Sequence, residues 1–167
     1  SSPLVNPAFA VERDLTNVRY AGTSTLGTFS SHKLVMTIPL TFHQSIGVSW
    51  FYHGTGDYDQ IAFDESTLEE TVVGAISDRS NSLFLTYAVN PWRRVTLGVN
   101  AQIVYQRFAD DVETGFGLDA GVSYRMRTHP VIGENVFGVA LINAVAPAVG
   151  GGFSRALNLS WHGAFAR

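Results

Sequence analysis

The chain carries five histidines, a residue type that serves both as a metal ligand and in acid–base catalysis. They are scattered, mostly at predicted turns, and no two have the helical spacing that brings two metal ligands to one face. There is no cysteine, which excludes disulfides and thiolate metal sites. The sequence therefore predicts no metal centre and no cofactor. The histidines are His32, His43, His53, His129 and His162.

The acidic segment at residues 57–65 offers carboxylate oxygens, which are the ligands that Ca²⁺ prefers. The segment lacks the ligand order and the glycine of an EF-hand loop. We therefore interpret it as a solvated acidic loop.

Ser160 and His162 share one face of a predicted strand and are a candidate serine–histidine pair for nucleophilic catalysis. Neighbours on one strand face lie about 7 Å apart, which is too far for a direct hydrogen bond between a nucleophile and its base. The Gly-x-Ser-x-Gly turn that exposes a nucleophilic serine is also missing from the sequence. We predict that the protein is not an enzyme.

Three glycines, Gly115, Gly117 and Gly121, recur within one alternating segment. They do not form a phosphate-binding loop, because the segment reads as a strand and no helix follows it. We interpret them as leaving room for a plug or a close-packed neighbour. Asp119 and Arg125 occupy the same predicted face, where the two charges could pair with each other, hold a plug or line a pathway.

The segments that carry these residues alternate strictly between two residue classes. Residues 95–105 place valine, leucine, alanine, isoleucine and tyrosine at odd positions, with threonine, glycine, asparagine and glutamine at most even ones. A period of two predicts a β-strand. The second face is uncharged, whereas the wet face of a soluble sheet carries lysine, glutamate and arginine. Large apolar residues opposite small polar ones are typical of a barrel whose outside is lipid.

The overall composition agrees with a membrane barrel. Charged residues make up 15% of the chain, against about 25% in an ordinary soluble domain. The mean hydropathy is only +0.10, and no apolar stretch approaches the ~20 residues of a helical span. A net charge of −3 without a basic cluster argues against a nucleic-acid partner.

About eight strands are predicted, and the connections between them alternate in length. Short turns are predicted at 41–44, 90–93 and 128–134, and longer connections at 54–80, 108–114 and 146–154. Outer-membrane barrels have short periplasmic turns and longer extracellular loops in such an order. The predicted strands are 19–27, 33–40, 45–53, 81–89, 94–107, 115–126, 135–145 and 155–166.

Aromatic residues near the predicted strand ends are candidates for the girdles at the two membrane interfaces. The alternative is that they are ordinary strand aromatics. The scarcity of charge favours the girdles. The candidates are Trp50, Tyr52, Tyr87, Trp92, Tyr105 and Trp161.

The chain before the first strand, residues 1–18, reads as a separate unit in front of barrel strands at 19–167. Pro7 suits a first helical turn, and the segment from Phe9 to Leu15 reads as helical or irregular. We predict that this segment is a plug inside the barrel. The candidate plug and lumen residues are Asn6, Pro7, Ala8, Asn100, Gln102, Asp119 and Arg125.

Several of these segments resemble FadL-like outer-membrane barrels and the PorV-type proteins of the type IX secretion system. The resemblance rests on Asn6-Pro7-Ala8 and on three strands in the same order and spacing: residues 95–101, 113–125 and 137–144. It departs from the family where Ala101-Gln102 replaces a strand lysine. The resemblance also implies about fourteen strands, so the chain is expected to be either the N-terminal part of a longer barrel or a smaller one. A glycine-rich interior would fill a small barrel poorly, which favours the larger parent.

The resemblance implies two functions in the bacterial outer membrane. In the first, the protein is an accessory subunit of a secretion or surface-assembly complex, with membrane lipid and other protein subunits as partners. In the alternative, it is a FadL-like transporter of hydrophobic small molecules. The small polar residues predicted inside the barrel favour the first function. A plain structural barrel and a soluble β-sandwich with an apolar binding face are further alternatives.

Overall fold

The fold is an antiparallel β-sheet with one short helix on it, as seen in a computed structural model of the chain. The structure describes residues 6–11, 15–25, 29–56, 58–64, 69–109, 111–126, 135–147 and 155–163. Within these residues it forms a 3-10 helix, Pro7–Val11, and ten strands. The strands are β1 (Asn17–Thr25), β2 (Phe29–Thr41), β3 (Gln44–Thr55), β4 (Tyr58–Asp64), β5 (Glu69–Ile76), β6 (Asp78–Trp92), β7 (Val95–Phe108), β8 (Asp111–Arg125), β9 (Asn135–Val145) and β10 (Ala156–Gly163).

Eight of the strands form one sheet in the order β1-β2-β3-β6-β7-β8-β9-β10, and every neighbouring pair is antiparallel. The remaining two, β4 and β5, form a separate hairpin between β3 and β6. The predicted all-β architecture of about eight antiparallel strands is therefore confirmed. Closure into a barrel is not observed, because no ladder joins β10 to β1 within the described residues.

The two ends of the sheet differ in how the strands are connected. The turn end carries the tight turns between β2 and β3, at Phe42-His43, and between β6 and β7, at Arg93-Arg94. The hairpin end is the opposite one, where the β4–β5 hairpin inserts between β3 and β6. Both of these turns were predicted as short, and the structure confirms them. Residues 127–134, which hold the third predicted turn, lie outside the described residues.

Of the predicted long connections, the one at 54–80 is long but is not a loop, and the one at 108–114 is wrong. The segment 54–80 is mostly β-structure, since β3 runs to Thr55, β6 begins at Asp78, and the hairpin lies between them. At 108–114, only two residues separate β7 from β8. Ala109 makes this connection tight, because its φ of 51° is the left-handed conformation that closes short hairpins. The strands thus extend further at the hairpin end than the apolar alternation suggested.

The two faces of the sheet have opposite chemistry, and the burial is inverted relative to a soluble protein. On β7, Leu97 is 41% exposed and Val99 is 50% exposed, whereas Asn100, which points to the other face, is 0% exposed. We call the exposed side the apolar face and the buried side the polar face. On β7 the polar face comprises Thr96, Gly98, Asn100, Gln102 and Val104, and the apolar face comprises Leu97, Val99, Ala101, Ile103 and Tyr105.

The core lies between the polar face and the 3-10 helix. The helix packs on β3, β6, β7 and β8, and its residues Ala8, Phe9 and Ala10 are buried. Sheet residues Ala88, Val104 and Ala140 are buried on the same face. No helix among the described residues is long and apolar enough to cross a membrane.

Candidate functional site: the helix-bearing polar face

Asn6 fixes the start of the helix and joins it to the sheet. Its side-chain oxygen accepts the backbone N–H of Ala8 at 3.0 Å, and its backbone oxygen accepts the N–H of Phe9 at 3.1 Å. Asparagine is a preferred residue at this capping position, and proline is favoured directly after it. The side-chain nitrogen donates to the carbonyls of Val122 and Val139, at 3.2 and 3.4 Å. One fully buried asparagine thus caps the helix and ties it to β8 and β9.

Glycines on three neighbouring strands make the groove that receives this segment. A Cβ atom on Gly98 would collide with the backbone of Pro7 and Ala8. A Cβ on Gly121 or Gly138 would collide with the side chain of Asn6. The room expected at Gly121 is therefore occupied by the N-terminal segment, whereas the room at Gly117 is filled by the side chain of Gln102.

A chain of hydrogen bonds crosses the polar face from β6 to β8. The hydroxyl of Thr86 donates to the Asn100 side-chain oxygen at 2.8 Å. The Asn100 side-chain nitrogen donates to a carboxylate oxygen of Asp119 at 3.2 Å. These three side chains are buried, so each hydrogen bond compensates for the loss of water.

The chain continues onto β9 through Asn143. Its backbone N–H donates to the second carboxylate oxygen of Asp119 at 2.7 Å, and its side-chain oxygen accepts from Gln102 at 2.9 Å. Asn143 has a φ of 53°, and the β8–β9 register shifts between Leu118 and Ala120. This bulge turns the Asn143 amide towards the buried carboxylate. We call Thr86, Asn100, Gln102, Asp119 and Asn143 the polar cluster.

The structure brings together three of the predicted lumen residues, Asn100, Gln102 and Asp119, but not Arg125. Arg125 ends β8 at the turn end, where it is exposed. Six residues of extended strand separate it from Asp119, a distance of about 20 Å. The suggested pairing of Asp119 with Arg125 is therefore wrong. Sequence reasoning missed Thr86 and Asn143; an asparagine near a strand end is a weak signal for a left-handed residue.

Above the polar cluster, towards the hairpin end, the polar face carries an aromatic pair. The rings of Phe51 and Phe84 meet edge to face with centroids 5.7 Å apart. The Lys33 ammonium lies 5.0 Å from the centroid of Phe51, within the range of a cation–π contact. This half-buried patch combines an apolar surface with one cation.

On the apolar face, aromatic side chains lie in two rows across the strands. The first row lies at the turn end, where register pairs join Trp92 to Val95, Val95 to Tyr124, Tyr124 to Phe137, and Phe137 to Trp161. We call this the turn-end row.

The second row lies towards the hairpin end. There, register pairs join His32 to Tyr52, Tyr52 to Asn81, Asn81 to Tyr105, and Tyr105 to Thr114. We call this the hairpin-end row. Trp50 stacks beside Tyr52 and donates to the Asn81 side chain at 3.3 Å.

Of the six girdle candidates predicted from the sequence, Trp92 and Trp161 lie in the turn-end row. Tyr52 and Tyr105 lie in the hairpin-end row, and Trp50 lies next to it. Tyr87 lies between the rows, opposite Val99. Tyr124 and Phe137 belong to the turn-end row and were not among the girdle candidates.

The candidate metal-binding and catalytic residues lie partly outside the described residues. Asp57, Glu65 and His129 lie outside them, as does the side chain of His162. Ser160 donates its hydroxyl to the carbonyl of Gly138 at 3.3 Å. Among the side chains that the structure describes, no three histidine, aspartate or glutamate residues gather as metal ligands would.

Comparisons of the chain with protein-family models, with curated proteins and with solved structures found no match.

Proposed function

We propose that the eight-stranded sheet forms part of the wall of a β-barrel in the bacterial outer membrane, with the apolar face in lipid. The inverted burial carries this proposal. Leu85, Val99 and Leu118, on three neighbouring strands, are all about half exposed. In water such a continuous apolar surface would aggregate, whereas in a bilayer it is the solvated surface.

The spacing of the two aromatic rows supports the proposal. On β7, the turn-end row lies at Val95 and the hairpin-end row at Tyr105, ten residues further along. Ten residues of strand measure about 34 Å. At the tilt of about 40° usual in barrels, they span about 26 Å, close to the ~25 Å height of an outer-membrane apolar band.

The positions beyond the rows support it further. Arg93 and Arg94 follow the turn-end row directly, and Arg79 and Arg107 follow the hairpin-end row. The apolar-face positions of β7 between the rows are Leu97, Val99, Ala101 and Ile103. Uncharged strand centres with charges outside the aromatic rows are what a bilayer requires.

Within the described residues, β1 and β10 are unpaired at their outer edges, which favours a barrel of more than eight strands, closed by further strands between β10 and β1. β1 is exposed on both faces beyond Asn17, so its polar-face positions are not covered as those of β7 are. In hydrocarbon, unpaired backbone groups at a sheet edge cost several kcal/mol each, so an open edge is not tolerated there. Larger barrels of the kind that the sequence resembles would supply the missing strands.

Within the membrane, we propose that the protein acts as an accessory subunit of a secretion or surface-assembly complex. The helix and the polar cluster occupy the polar face of the central strands, where a transport path would run. The apolar face, in contrast, has a depression of about 630 Å³ around Ala101, which suits an apolar segment of a partner subunit in the bilayer. Leucine and isoleucine side chains line it: Leu83, Leu85, Ile103 and Leu118.

The test is extraction of the native protein from bacterial membranes in a mild detergent, followed by native electrophoresis with and without heating. We expect a folded band that changes mobility on heating and runs within a larger complex. A protein that stays soluble without detergent contradicts the membrane assignment. A heat-modifiable band at the size of the single chain contradicts the accessory role alone.

One observation favours the alternative of a FadL-like transporter. The Phe51–Phe84 pair with Lys33 above it would suit an amphiphile that has an apolar tail and an anionic head. If the protein transports such molecules, Lys33→Gln should lower the uptake of a fluorescent fatty acid into cells that carry the protein. The matched control is Arg19→Gln, because Arg19 is a charged residue on the neighbouring strand β1, which pairs with β2. Equal uptake by both variants and the unaltered protein would leave the accessory role as the function.

A further inference from the structure

The β4–β5 hairpin forms a two-stranded sheet of its own and exposes apolar side chains. It continues outward from the last register pair of β3 with β6, which joins Gly54 to Arg79. Ile61 on β4 and Val72 on β5 are register partners, and both are more than half exposed. An isolated two-stranded hairpin is at best marginally stable in water, so a partner that covered this pair would stabilise it.

The lipid proposed to cover the apolar face of the main sheet does not account for this exposure. The hairpin-end row crosses β3 at Tyr52, and Ile61 lies nine residues further along the chain. The strand pairing runs outward from that row through Gly54 and into the hairpin. On the proposed membrane location of the sheet, on which this step rests, the hairpin therefore lies beyond the apolar band, on the water side of the aromatic row.

A carboxylate flanks the exposed apolar pair on each side. Asp59 precedes Ile61 by two residues on β4, and Glu70 precedes Val72 by two residues on β5, so the four side chains share one face. Because the strands are antiparallel, Asp59 and Glu70 lie on opposite sides of the pair, each about 7 Å along its strand from the apolar residue. All four side chains are exposed. The face thus has an apolar centre between two negative charges.

We propose that this face binds an extended basic segment of a partner protein, which adds to the hairpin as a third strand. Residues 55–77 include six acidic residues and no lysine, arginine or histidine. A strand with lysine or arginine beside Asp59 and a β-branched residue beside Ile61 would match the face in charge and in shape. In this mode of binding, main-chain hydrogen bonds give affinity and alternate side chains give specificity.

The edge of β4 is the regular edge of the hairpin. The register shifts between Gln60 and Ile61 because β5 carries one extra residue, Val73, between their partners. Such a bulge disturbs the row of backbone groups that an added strand needs, whereas β4 has no inserted residue. Within the described residues, no strand pairs with the outer edge of β4. The added strand is therefore assigned to β4.

The charge of the hairpin argues against a second copy of this chain as the occupant. Two hairpins paired edge to edge would bring Asp59 and the other acidic residues of one copy towards those of the other. Like charges opposite each other destabilise a pair of strands. The partner is therefore a different protein of opposite charge. The inference thus names a partner for the proposed accessory role, on which it rests.

The experiment measures the binding of labelled peptides to the whole protein in detergent micelles by fluorescence anisotropy. The probe has lysine, valine and lysine at alternate positions with threonine between them, and the reference peptide has glutamate in place of both lysines. We expect Asp59→Lys to bind the lysine peptide about tenfold more weakly, because repulsion replaces an attraction. Failure of the lysine peptide to bind the unaltered protein, or equal binding of the glutamate peptide, would overturn the proposal.

The matched control is Asp111→Lys, which makes the same change of charge at an exposed position of β8, outside the hairpin. This variant should retain the affinity for the lysine peptide. An equal loss in D59K and D111K would overturn the proposal, since the peptide would then respond to net charge alone. Circular dichroism of each variant checks that its strands are intact.

Two N-methylated versions of the lysine peptide test whether it adds as a strand. Methyl groups on alternate amides remove the backbone donors from one edge of the peptide only. We expect one version to lose binding and the other to retain it, because an added strand pairs with β4 through a single edge. Equal affinities of the two versions would overturn the addition of a strand.

A dye on a single cysteine distinguishes lipid from protein as the occupant, because the chain has no cysteine of its own. An environment-sensitive dye on Ile61→Cys should report water in liposomes and an apolar site once the lysine peptide is added. An apolar site in liposomes without peptide would assign the face to lipid. A dimer in sedimentation that Ile61→Lys dissolves would assign it to a second copy. Either result would overturn the proposal.

Liposome flotation of the unaltered protein separates this proposal from the membrane assignment. If the protein does not float with liposomes, the proposed membrane location fails. If it floats and does not bind the lysine peptide, only the docking of a basic strand fails.

Discussion

The two faces of β7 differ in what they contact, although they alternate residue by residue along one strand. The polar face lies against the helix and the polar cluster, where Asn100 is fully buried within a hydrogen-bonded chain. The apolar face touches no other element of the described sheet, and Val99 is half exposed. In a soluble sheet the large side chains lie in the core and the polar ones in water. The comparison shows that the side chains of β7 pack closely on the polar face, whereas those on the apolar face are exposed to the surroundings.

The strongest test of this difference is a charge at the centre of the apolar face. Val99→Lys places an ammonium group midway between the two aromatic rows. In a bilayer, we expect the free energy of unfolding to fall by about 2–4 kcal/mol, because a cation near the midplane must leave water. On a water-exposed face, the same substitution would change it by no more than about 0.5 kcal/mol. The measurement is denaturant unfolding of the protein in phospholipid vesicles.

Val112→Lys is the matched control for this substitution. Val112 is 54% exposed, close to the 50% of Val99, but it lies beyond the hairpin-end row. There the expected loss is about 0–1 kcal/mol. Equal losses of unfolding free energy at the two positions would mean that the cost of a charge on the apolar face does not depend on depth in a bilayer.

A smaller effect is expected from filling the groove on the polar face. Gly121→Val would drive its side chain into Asn6 and Pro7, so the helix must move or the sheet must distort. Overpacking of this kind costs about 1–3 kcal/mol. The neighbouring Ala120→Val adds a comparable volume on the apolar face and should leave the unfolding midpoint almost unchanged. If A120V is the more destabilising of the two, the assignment of packing to the polar face is wrong.

The smallest expected effect is that of removing the Asn6 side chain, which attaches the helix to the sheet. Asn6→Ala removes the cap and both contacts to the sheet, for an expected loss of about 1–2 kcal/mol. Asn6→Asp keeps an acceptor for the N–H of Ala8 but sets a carboxylate against the carbonyls of Val122 and Val139. The denaturation midpoint should therefore fall further for N6D than for N6A. If N6D left the denaturation midpoint unchanged, the contribution of Asn6 to stability would come from capping alone.

The strands of the main sheet could be predicted because their alternation is local. Residues 95–105 and 116–126 show a period of two that depends on no distant partner, and both lie in strands of the structure except for the last residue, Met126. The hairpin β4–β5 was not predicted, since acidic residues at 57–70 hide its alternation. The early start of β8 at Asp111 was missed for the same reason, as Asp111 and Glu113 looked like loop residues.

The polar face could be predicted only in part. Glycine, asparagine and aspartate on one strand face mark where something packs closely, and Gly121 with Asn100 lies there. The partners come from distant parts of the chain, and the sequence does not reveal them. Asn143 reaches Asp119 only because a bulge shifts the register of β9 against β8. A bulge depends on the pairing of two strands and leaves little trace in either one.

The aromatic rows show the same limit. Trp92 and Trp161 lie about seventy residues apart in the sequence. They belong to the same row only because of the registers of the strands between them. Their positions near predicted strand ends suggested that they are interface residues. That they lie at the same height on the sheet could be seen only from the pairing of the strands. Tyr87 lies near a predicted strand end and yet falls within the apolar band, because β6 continues to Trp92.

The most direct test of the central claim is the depth of the tryptophans in a bilayer. Trp92 and Trp161 are 63% and 59% exposed in the turn-end row, and each can be studied alone after the other tryptophans are changed to phenylalanine. In vesicles of lipids brominated at different acyl positions, we predict that both are quenched most by bromine near the headgroups, at the same depth. Quenching by aqueous iodide with no effect of the brominated lipids would contradict the account, because the apolar face would then lie in water.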